Sequence, residues 1–320
     1  MKINTSLLWK FENTIDTIYP ERGEVPISIL GYGEISLVFE LMNDDQKIAY
    51  KRLPIFDTEV QVKRHIYAYN IYHQILQKLG FNVPAHDAVW IQSQAGKIVL
   101  YCAQEKILGD SVGHKIIHHS ISQREIHTLI LLIMREMYKI WSFNNRSKTL
   151  KVGLDGQISN WAVMDYDPQN PKISVDDKLI YLDTSTPMFR KHGIEGMEPV
   201  LFLKSAPFFL RWLLKALFLE EVIGRYYDWR LVTIDLIANF FKEQRPELIP
   251  GVLEVINRFF SQEAAEFGIT PLTYGEVKKY YDEDKQIWVI FQNARRLDRY
   301  IQTKLFRRQY DFYLPGKIKR

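Results

Sequence analysis

A single cysteine, Cys102, in 320 residues removes any disulfide framework from the candidate architectures. Its place in the apolar run 98–103, with no base paired to it, marks it as a packed core thiol in a reducing, cytoplasmic setting rather than a nucleophile. Long uninterrupted apolar stretches are also missing. The most hydrophobic segment, 200–223, is broken by Lys204, Arg211, Lys215, Glu220 and Glu221, which argues against passage through a bilayer and for a buried helix. Residues 1–10 lack the charged start and long apolar stretch of a secretory signal, so none is expected. Internal repeats, low-complexity tracts and Pro/Gly-rich linkers are absent. So is a Gly-x-Ser-x-Gly elbow. The segment Gly109-Asp110-Ser111-Val112-Gly113-His114-Lys115 is one residue short of a P-loop and lacks the hydroxyl residue after its lysine. His114, His118, His119 and His127 cluster without a zinc-type spacing and read as helix-surface residues.

What the chain does have is material for a large core. Hydrophobic residues make up 47% of it, enough to exclude global disorder and to favour two packed units over one small domain. The formal charge of +4 is unevenly spread. From Arg295 onward Arg295, Arg296, Arg299, Lys304, Arg307, Arg308, Lys317, Lys319 and Arg320 face only Asp298 and Asp311, a local balance of +7 that leaves −3 for the rest. A solvated helix face with a frayed end is the favoured reading of 295–320, and contact with anionic membrane lipid or nucleic acid the alternative.

Periodicity divides the chain. Between 27 and 103, short β-branched or aromatic runs at 36–41, 47–53, 88–92 and 98–103 alternate with turn signals, as in an antiparallel sheet. One long helix interrupts them. Thr58 and Gln61 form its capping box, Val62, Ile66, Tyr69, His73, Leu76 and Leu79 share a face, and Gly80 ends it. After Gly109 the period lengthens. Ser122 and Glu125 cap a helix reaching Trp141 or Phe143, a strand-rich interval follows at 151–184, and helices continue to the end. Phe208, Phe209, Trp212, Phe218, Tyr226, Tyr227 and Trp229 read as core, with a pocket wall as the secondary role. Asp282, Glu283 and Asp284 read as a solvated helix end.

Four places carry chemistry. Leu30-Gly31-Tyr32-Gly33-Glu34-Ile35-Ser36 is a glycine turn between strands, whose N–H groups can approach phosphates without Cβ obstruction. Lys51, on a strand, shares a face with Ala49 while Tyr50 and Arg52 point the other way, so it can offer a fixed charge to phosphate oxygens. Asp155 and Asn160 lie five apart in a loop, a carboxylate able to take a hydroxyl proton and an amide oxygen able to hold a metal. Asp183 ends the apolar strand 179–182, where a hard oxygen donor suits Mg²⁺.

In this order, with a hinge-like segment at 104–108 and a long apolar helix between, the motifs resemble the protein-kinase-like superfamily, particularly its aminoglycoside and choline phosphotransferases. The resemblance covers Leu30 to about Ser185. It implies an α+β, two-lobed kinase-like fold: a β-rich nucleotide-binding lobe at 1–106 with an antiparallel sheet and one long helix, and a mainly helical lobe at 107–320. It implies an enzyme that uses ATP and Mg²⁺ to phosphorylate a small-molecule hydroxyl acceptor. By that likeness Gly31, Gly33 and Ser36 lie over the phosphates and Lys51 contacts them, with Glu59 as its ion-pair partner. Gln104, Glu105, Lys106 and Ile107 meet adenine through their backbone, Asp155 is the base, and Asn160 and Asp183 hold magnesium.

The chain departs from the pattern at two points. Gly153-Leu154 stands where His-Arg or His-Gly precedes the catalytic aspartate, and Thr184-Ser185 replaces the Phe-Gly after the metal-binding one. A nucleotide-binding pseudokinase acting as scaffold or regulator is therefore the second reading, and an anionic-surface binder using the basic tail the third. Asp167-Pro168-Gln169-Asn170-Pro171 accounts for the long interval between Asn160 and Asp183 as a hairpin turn joining 161–164 to 178–182.

Overall fold

The computed structural model describes residues 1–33, 35–217, 219–314 and 316; Glu34 of the glycine loop, Phe218, and Lys317, Lys319 and Arg320 of the basic end lie outside the described residues. After α1 (Thr5–Thr14) come β1 (Ile27–Tyr32), β2 (Leu37–Leu41), β3 (Ile48–Phe56), α2 (Glu59–Lys78), β4 (His86–Gln92) and β5 (Ile98–Glu105). The five strands form one antiparallel sheet in the order β1-β2-β3-β5-β4. The remainder is mainly helical: α3 (Gly113–Ile116), α4 (Gln123–Arg146), α5 (Arg211–Leu217), α6 (Leu219–Gly224), α7 (Trp229–Lys242), α8 (Ile249–Gln262) and α9 (Tyr274–Tyr300). Between α4 and α5 run five short strands, β6 (Leu150–Val152), β7 (Trp161–Val163), β8 (Leu179–Tyr181), β9 (Phe189–Lys191) and β10 (Ile194–Glu195). The class is α+β, with an antiparallel sheet and a helical C-terminal region.

Local chemistry explains the boundaries. Pro54 has no N–H to give a ladder, and it sits where the β3–β5 register shifts between Leu53 and Phe56. Thr58 caps α2 by accepting from the Gln61 N–H at 3.3 Å, but Gln61 returns its carbonyl to the Asp57 N–H, one residue short of a full capping box. Gly80, at φ +82°, closes α2 with its N–H on the Gln77 carbonyl and that of Phe81 on Leu76. Ser122 and Glu125 cap α4 reciprocally. That helix runs three residues past the expected Phe143 because Asn144 turns inward, pairing both its amide groups with the Val152 backbone of β6 at 2.7 and 2.8 Å. β7 and β8 pair antiparallel, as the hairpin at 161–182 requires.

α2 is the shared element. Its Val62 and Tyr69 pack on one face of the sheet, whereas Ala68, Tyr72 and Leu76 join the large core formed with α4, α7, α8 and α9. The opposite face of the sheet is covered by α1 through Leu8 and Phe11. The 27-residue α9, about 40 Å long at helical rise, ends in one π turn. Beyond it the chain returns to the sheet: Tyr310, Phe312 and Leu314 are buried with Leu53, Ile55 and Leu100.

The fold departs from the sequence pattern in two places. The segment 200–223 is a 3₁₀ run, Pro199–Ser205, followed by two short helices instead of one buried helix, and Phe208, Phe209 and Trp212 are exposed where core positions were expected. Its Arg211 and Lys204 turn back on the protein instead of lining a helix face: Arg211 donates to the Lys204 and Ala206 carbonyls at 2.8 and 2.9 Å, and Lys204 pairs with Asp57. The end of the chain is not a frayed solvated face throughout, since Arg295 and Asp298 are both buried and the Arg295 guanidinium lies 5.6 Å from the Phe291 and Phe312 rings.

The strongest single tie across these layers is a buried ion pair. Arg52 meets Glu12 bidentately, Nε to Oε2 at 2.8 Å and Nη2 to Oε1 at 2.7 Å, and the two side chains are 3% and 2% exposed. Its Nη1 donates to the Asp311 carbonyl at 2.8 Å, Tyr101 donates to Glu12, and Lys97 pairs with the Asp311 carboxylate. The Glu12 charge holds the guanidinium protonated against the cost of burial. Glu12→Ala, which leaves that cation enclosed without its partner, should lower unfolding free energy by about 3–5 kcal/mol in urea titration; a loss under about 1 kcal/mol, as for an exposed pair, would refute the assignment.

Candidate functional site

The site begins where β3 and the segment after β8 meet. Alternation along β3 sends Tyr50 and Arg52 to the α1 face and Lys51 to the other, as its sequence neighbours require. There Lys51 Nζ lies 2.8 Å from Asp183 Oδ1, across 132 positions of chain, with both side chains about one-fifth exposed. Ser185 Oγ also reaches that oxygen, at 3.4 Å. This contact overturns the expected pairing with Glu59. Glu59 lies in the first turn of α2, exposed, with Lys63 one turn on at 2.7 Å. The inward positions of α2 carry His65 and Tyr69 instead of an acid. His65 Nε2 bonds the Ser185 carbonyl at 3.0 Å, and burial first, then the Lys51 charge, lowers its pKa to about 4, which leaves it neutral at physiological pH.

The loop 153–160 sits beside this pair and is held from four sides. Tyr72 of α2 donates to the Gly153 carbonyl at 2.9 Å and Tyr181 of β8 to the Asp155 carbonyl at 3.2 Å. Burial pushes both phenols well above their usual range, so they remain donors. Asn239 of α7 accepts from the Ile158 N–H at 3.0 Å, and the Trp161 indole donates to the Gly156 carbonyl. Gly156 must lack a side chain, since a Cβ there would meet Val232 of α7 at 2.6 Å. Within the loop, the Gln157 N–H donates to Asp155 Oδ1 at 3.1 Å and Asn160 Nδ2 to the Asp155 carbonyl at 3.2 Å. The Leu182 N–H donates to the Asn160 carbonyl at 2.9 Å, tying the loop to the strand that delivers Asp183.

Electrostatically, the centre is Asp155. It keeps a partial opening to solvent, yet the protein around it raises its pKa to about 7. Burial is the main cause, followed by the charges of Asp235 and Asp183; the Gln157 hydrogen bond and the Lys242 charge oppose the rise. Asp235, on α7, is the functional candidate that sequence reasoning missed. It is buried, accepts from Tyr280 Oη at 3.1 Å and Lys242 Nζ at 3.3 Å, and has Arg225 at 3.9 Å. The available signal was Asp235 and Asn239, four apart in the run 231–241, whose only other polar residue is Thr233.

The glycine turn and the hinge follow expectation only in part. Gly33 closes the β1–β2 turn by giving its N–H to the Ser36 carbonyl at 3.0 Å, and the Ser36 side chain is buried, so neither presents these groups outward. Gly31 differs: a Cβ built there meets nothing within 4 Å. In the hinge, the N–H groups of Glu105 and Lys106 are already given to the carbonyls of Ala85 and Lys47 at 2.8 and 2.9 Å, which removes two of the donors expected for adenine. Lys106 pairs its side chain with Glu40 at 2.6 Å. Cys102 is buried on β5, and its thiol is pushed up to about 12, principally by burial, as a packed residue should be.

Asp155, Asn160, Asp183 and Lys51 thus come together with His65, Tyr72 and Tyr181 around them, and Glu59 does not. Among the described residues no helix is long and apolar enough to cross a membrane. The model of a family of unknown function, DUF6206, matches residues 10–299 of the chain. No curated protein matches it.

The raised Asp155 pKa carries a testable sign. Between about pH 4, the ordinary aspartate value, and about 7 the folded state holds a proton that the unfolded chain has released, so Asp155 withdraws stability as pH rises through that window. Asp155→Asn should therefore raise the melting temperature at pH 8 while changing little at pH 4. An equal shift at both values would remove the buried, proton-retaining carboxylate from the account.

Proposed function

The chain belongs to this family, whose function is unknown, and we propose that it is an ATP-dependent phosphotransferase of two-lobed, kinase-like arrangement with a small-molecule hydroxyl acceptor. The observation that carries the reading is the 2.8 Å approach of Lys51 to Asp183, with the Asp155–Asn160 loop tied to the same strand end. Phosphoryl transfer demands little covalent chemistry from a protein. It demands a cation fixed for phosphate oxygens, carboxylate and amide oxygens for a metal, and a base beside them. Lys51 supplies the first, Asp183 and Asn160 the second, and Asp155 the third. Gly31 lies at the register shift of β1, and since a Cβ there would meet nothing within 4 Å, its missing side chain leaves that stretch of backbone open to the close approach of a phosphate.

The donor set suits magnesium. Asp183 engages Lys51 through Oδ1, and Asn160 spends its Nδ2 on the Asp155 carbonyl, so the amide oxygen is the atom it has for a metal. Two hard oxygen donors match an ion that takes most of its remaining ligands from water and phosphate. When bound, Mg²⁺ would neutralise phosphate charge. Asp155 accepts the acceptor hydroxyl proton on its carboxylate, a role for which a pKa near 7 balances ionised fraction against basicity. Tyr72, Tyr181 and Asn239 hold the loop in place while it does so.

A nucleotide-binding scaffold is the second reading. It is favoured by the absence of an acid at the inner face of α2 and by Thr184-Ser185 after Asp183. Mutants separate the two. With Mg²⁺-dependent ATP hydrolysis and transfer to a panel of hydroxylated small molecules as readouts, Asp155→Asn should lower turnover roughly 10²–10⁴-fold with nucleotide binding intact. Asp183→Ala should abolish both turnover and the extra thermal stabilisation that ATP gives with Mg²⁺ over EDTA. Full turnover in Asp155→Asn rules out this base; nucleotide binding without any turnover in the unmutated protein selects the scaffold. The steric reading of Gly31 is checked separately: Gly31→Val should leave the apo melting temperature unchanged yet weaken ATP binding at least about tenfold, the cost of one misplaced polar contact.

A further inference from the structure

Two segments nearly a hundred positions apart bring large apolar side chains to one exposed place. Phe208 and Phe209 stand in the turn before α5, with ring centroids 5.4 Å apart, and Phe306 comes within 6.5 Å of Phe208 from the π turn after α9. Trp212, on α5, is 71% exposed, and Leu305 is 67% exposed. A soluble surface seldom gathers so many rings without a partner.

The backbone that presents them is fixed. The Phe306 N–H donates to the Ile301 carbonyl at 3.1 Å and that of Arg308 to Gln302 at 2.9 Å. Gln302 in turn binds both oxygens of the buried Asp298 at 2.9 Å, and Tyr310 is buried just beyond. Both segments also carry exposed cations. Lys304, Arg307 and Arg308 are exposed on the same segment, Lys215 is exposed on α5, and the Arg308 guanidinium lies 5.7 Å from the Phe306 ring. None of the four forms an ion pair with an acidic side chain among the described residues.

We propose that this patch, built from 208–215 and 304–308, docks the protein on an anionic membrane surface, the rings seated at the headgroup–acyl boundary and the cations over lipid phosphates. The combination selects the partner. A second copy related by two-fold symmetry would oppose cation to cation. Duplex nucleic acid, whose bases are already stacked on one another, would satisfy the charges and leave Trp212, Leu305 and the phenylalanines in water. An anionic bilayer takes both at once, as interfacial segments with aromatic and basic side chains do. The surface lies on a membrane and does not span it, and it is independent of the nucleotide site proposed above.

Flotation of the full chain with phosphatidylcholine vesicles, with and without phosphatidylserine, tests the proposal. Binding should require phosphatidylserine and fall as salt rises. Arg307→Gln with Arg308→Gln should weaken it about fivefold per charge removed, and Trp212→Ala with Phe306→Ala should abolish it, both without change in melting temperature because these side chains are exposed. In the unmutated protein, lipids brominated on their acyl chains should quench tryptophan fluorescence, and Trp212→Phe should remove that quenching while retaining binding. Absence of binding to phosphatidylserine vesicles overturns the proposal. So does binding that survives loss of both rings, or a duplex DNA bound as tightly with dependence on the arginines alone.

Discussion

Two consecutive cations on β3 point to opposite faces of the sheet, and much of the molecule is organised by where each one ends. Arg52 is enclosed on the α1 side by Glu12, Tyr101 and the Asp311 carbonyl, so one guanidinium joins the first helix, the sheet and the last described segment. Lys51 faces the other way and reaches Asp183. The strand between them cannot slip by one residue without exchanging these environments, because side chains alternate with period two. A cation that needs full burial and one that needs an opening are thereby kept one residue and one sheet thickness apart.

Burial also accounts for the chemistry around Asp155. The charges of Asp183 and Asp235 both bear on Asp155, and each of the three acids has been given a different compensation. Asp183 has Lys51; Asp235 has Lys242, Arg225 and the Tyr280 hydroxyl; Asp155 has one backbone N–H and retains its proton to about pH 7. Differences in partner, not in residue type, set the division of labour. The loop carrying Asp155 is rigid for a related reason: Gly153, Asp155, Gly156 and Ile158 each direct a backbone group to a side chain from another element.

Much of the scaffold was legible in the residues. Thr58, Gly80, Ser122 and Glu125 mark helix ends because caps act over three or four positions, and the hairpin around Asp167 to Pro171 closes because turn chemistry is equally local. The convergence of Lys51 with Asp183 was anticipated from motif order. Glu59 was misjudged because an acid at the start of a helix is best served by a lysine four residues on, and Lys63 is there. Phe208, Phe209 and Trp212 were misread as core, since helical spacing reports which residues share a face and not whether another element covers it.

Composition, periodicity and capping residues by themselves determined the α+β class, the coarse order of a sheet with one long helix followed by a mainly helical remainder, and the short roster of groups able to do chemistry. Tertiary structure alone decided which acid meets which cation, that Asp235 stands near Asp155, that the hinge N–H groups of Glu105 and Lys106 are committed, and that the chain end returns to the sheet. These pairings span up to 293 positions, as between Thr17 and Tyr310. No local rule reaches that far: such contacts depend on how whole faces pack, and the free energy that selects them belongs to the assembled core rather than to any segment of it.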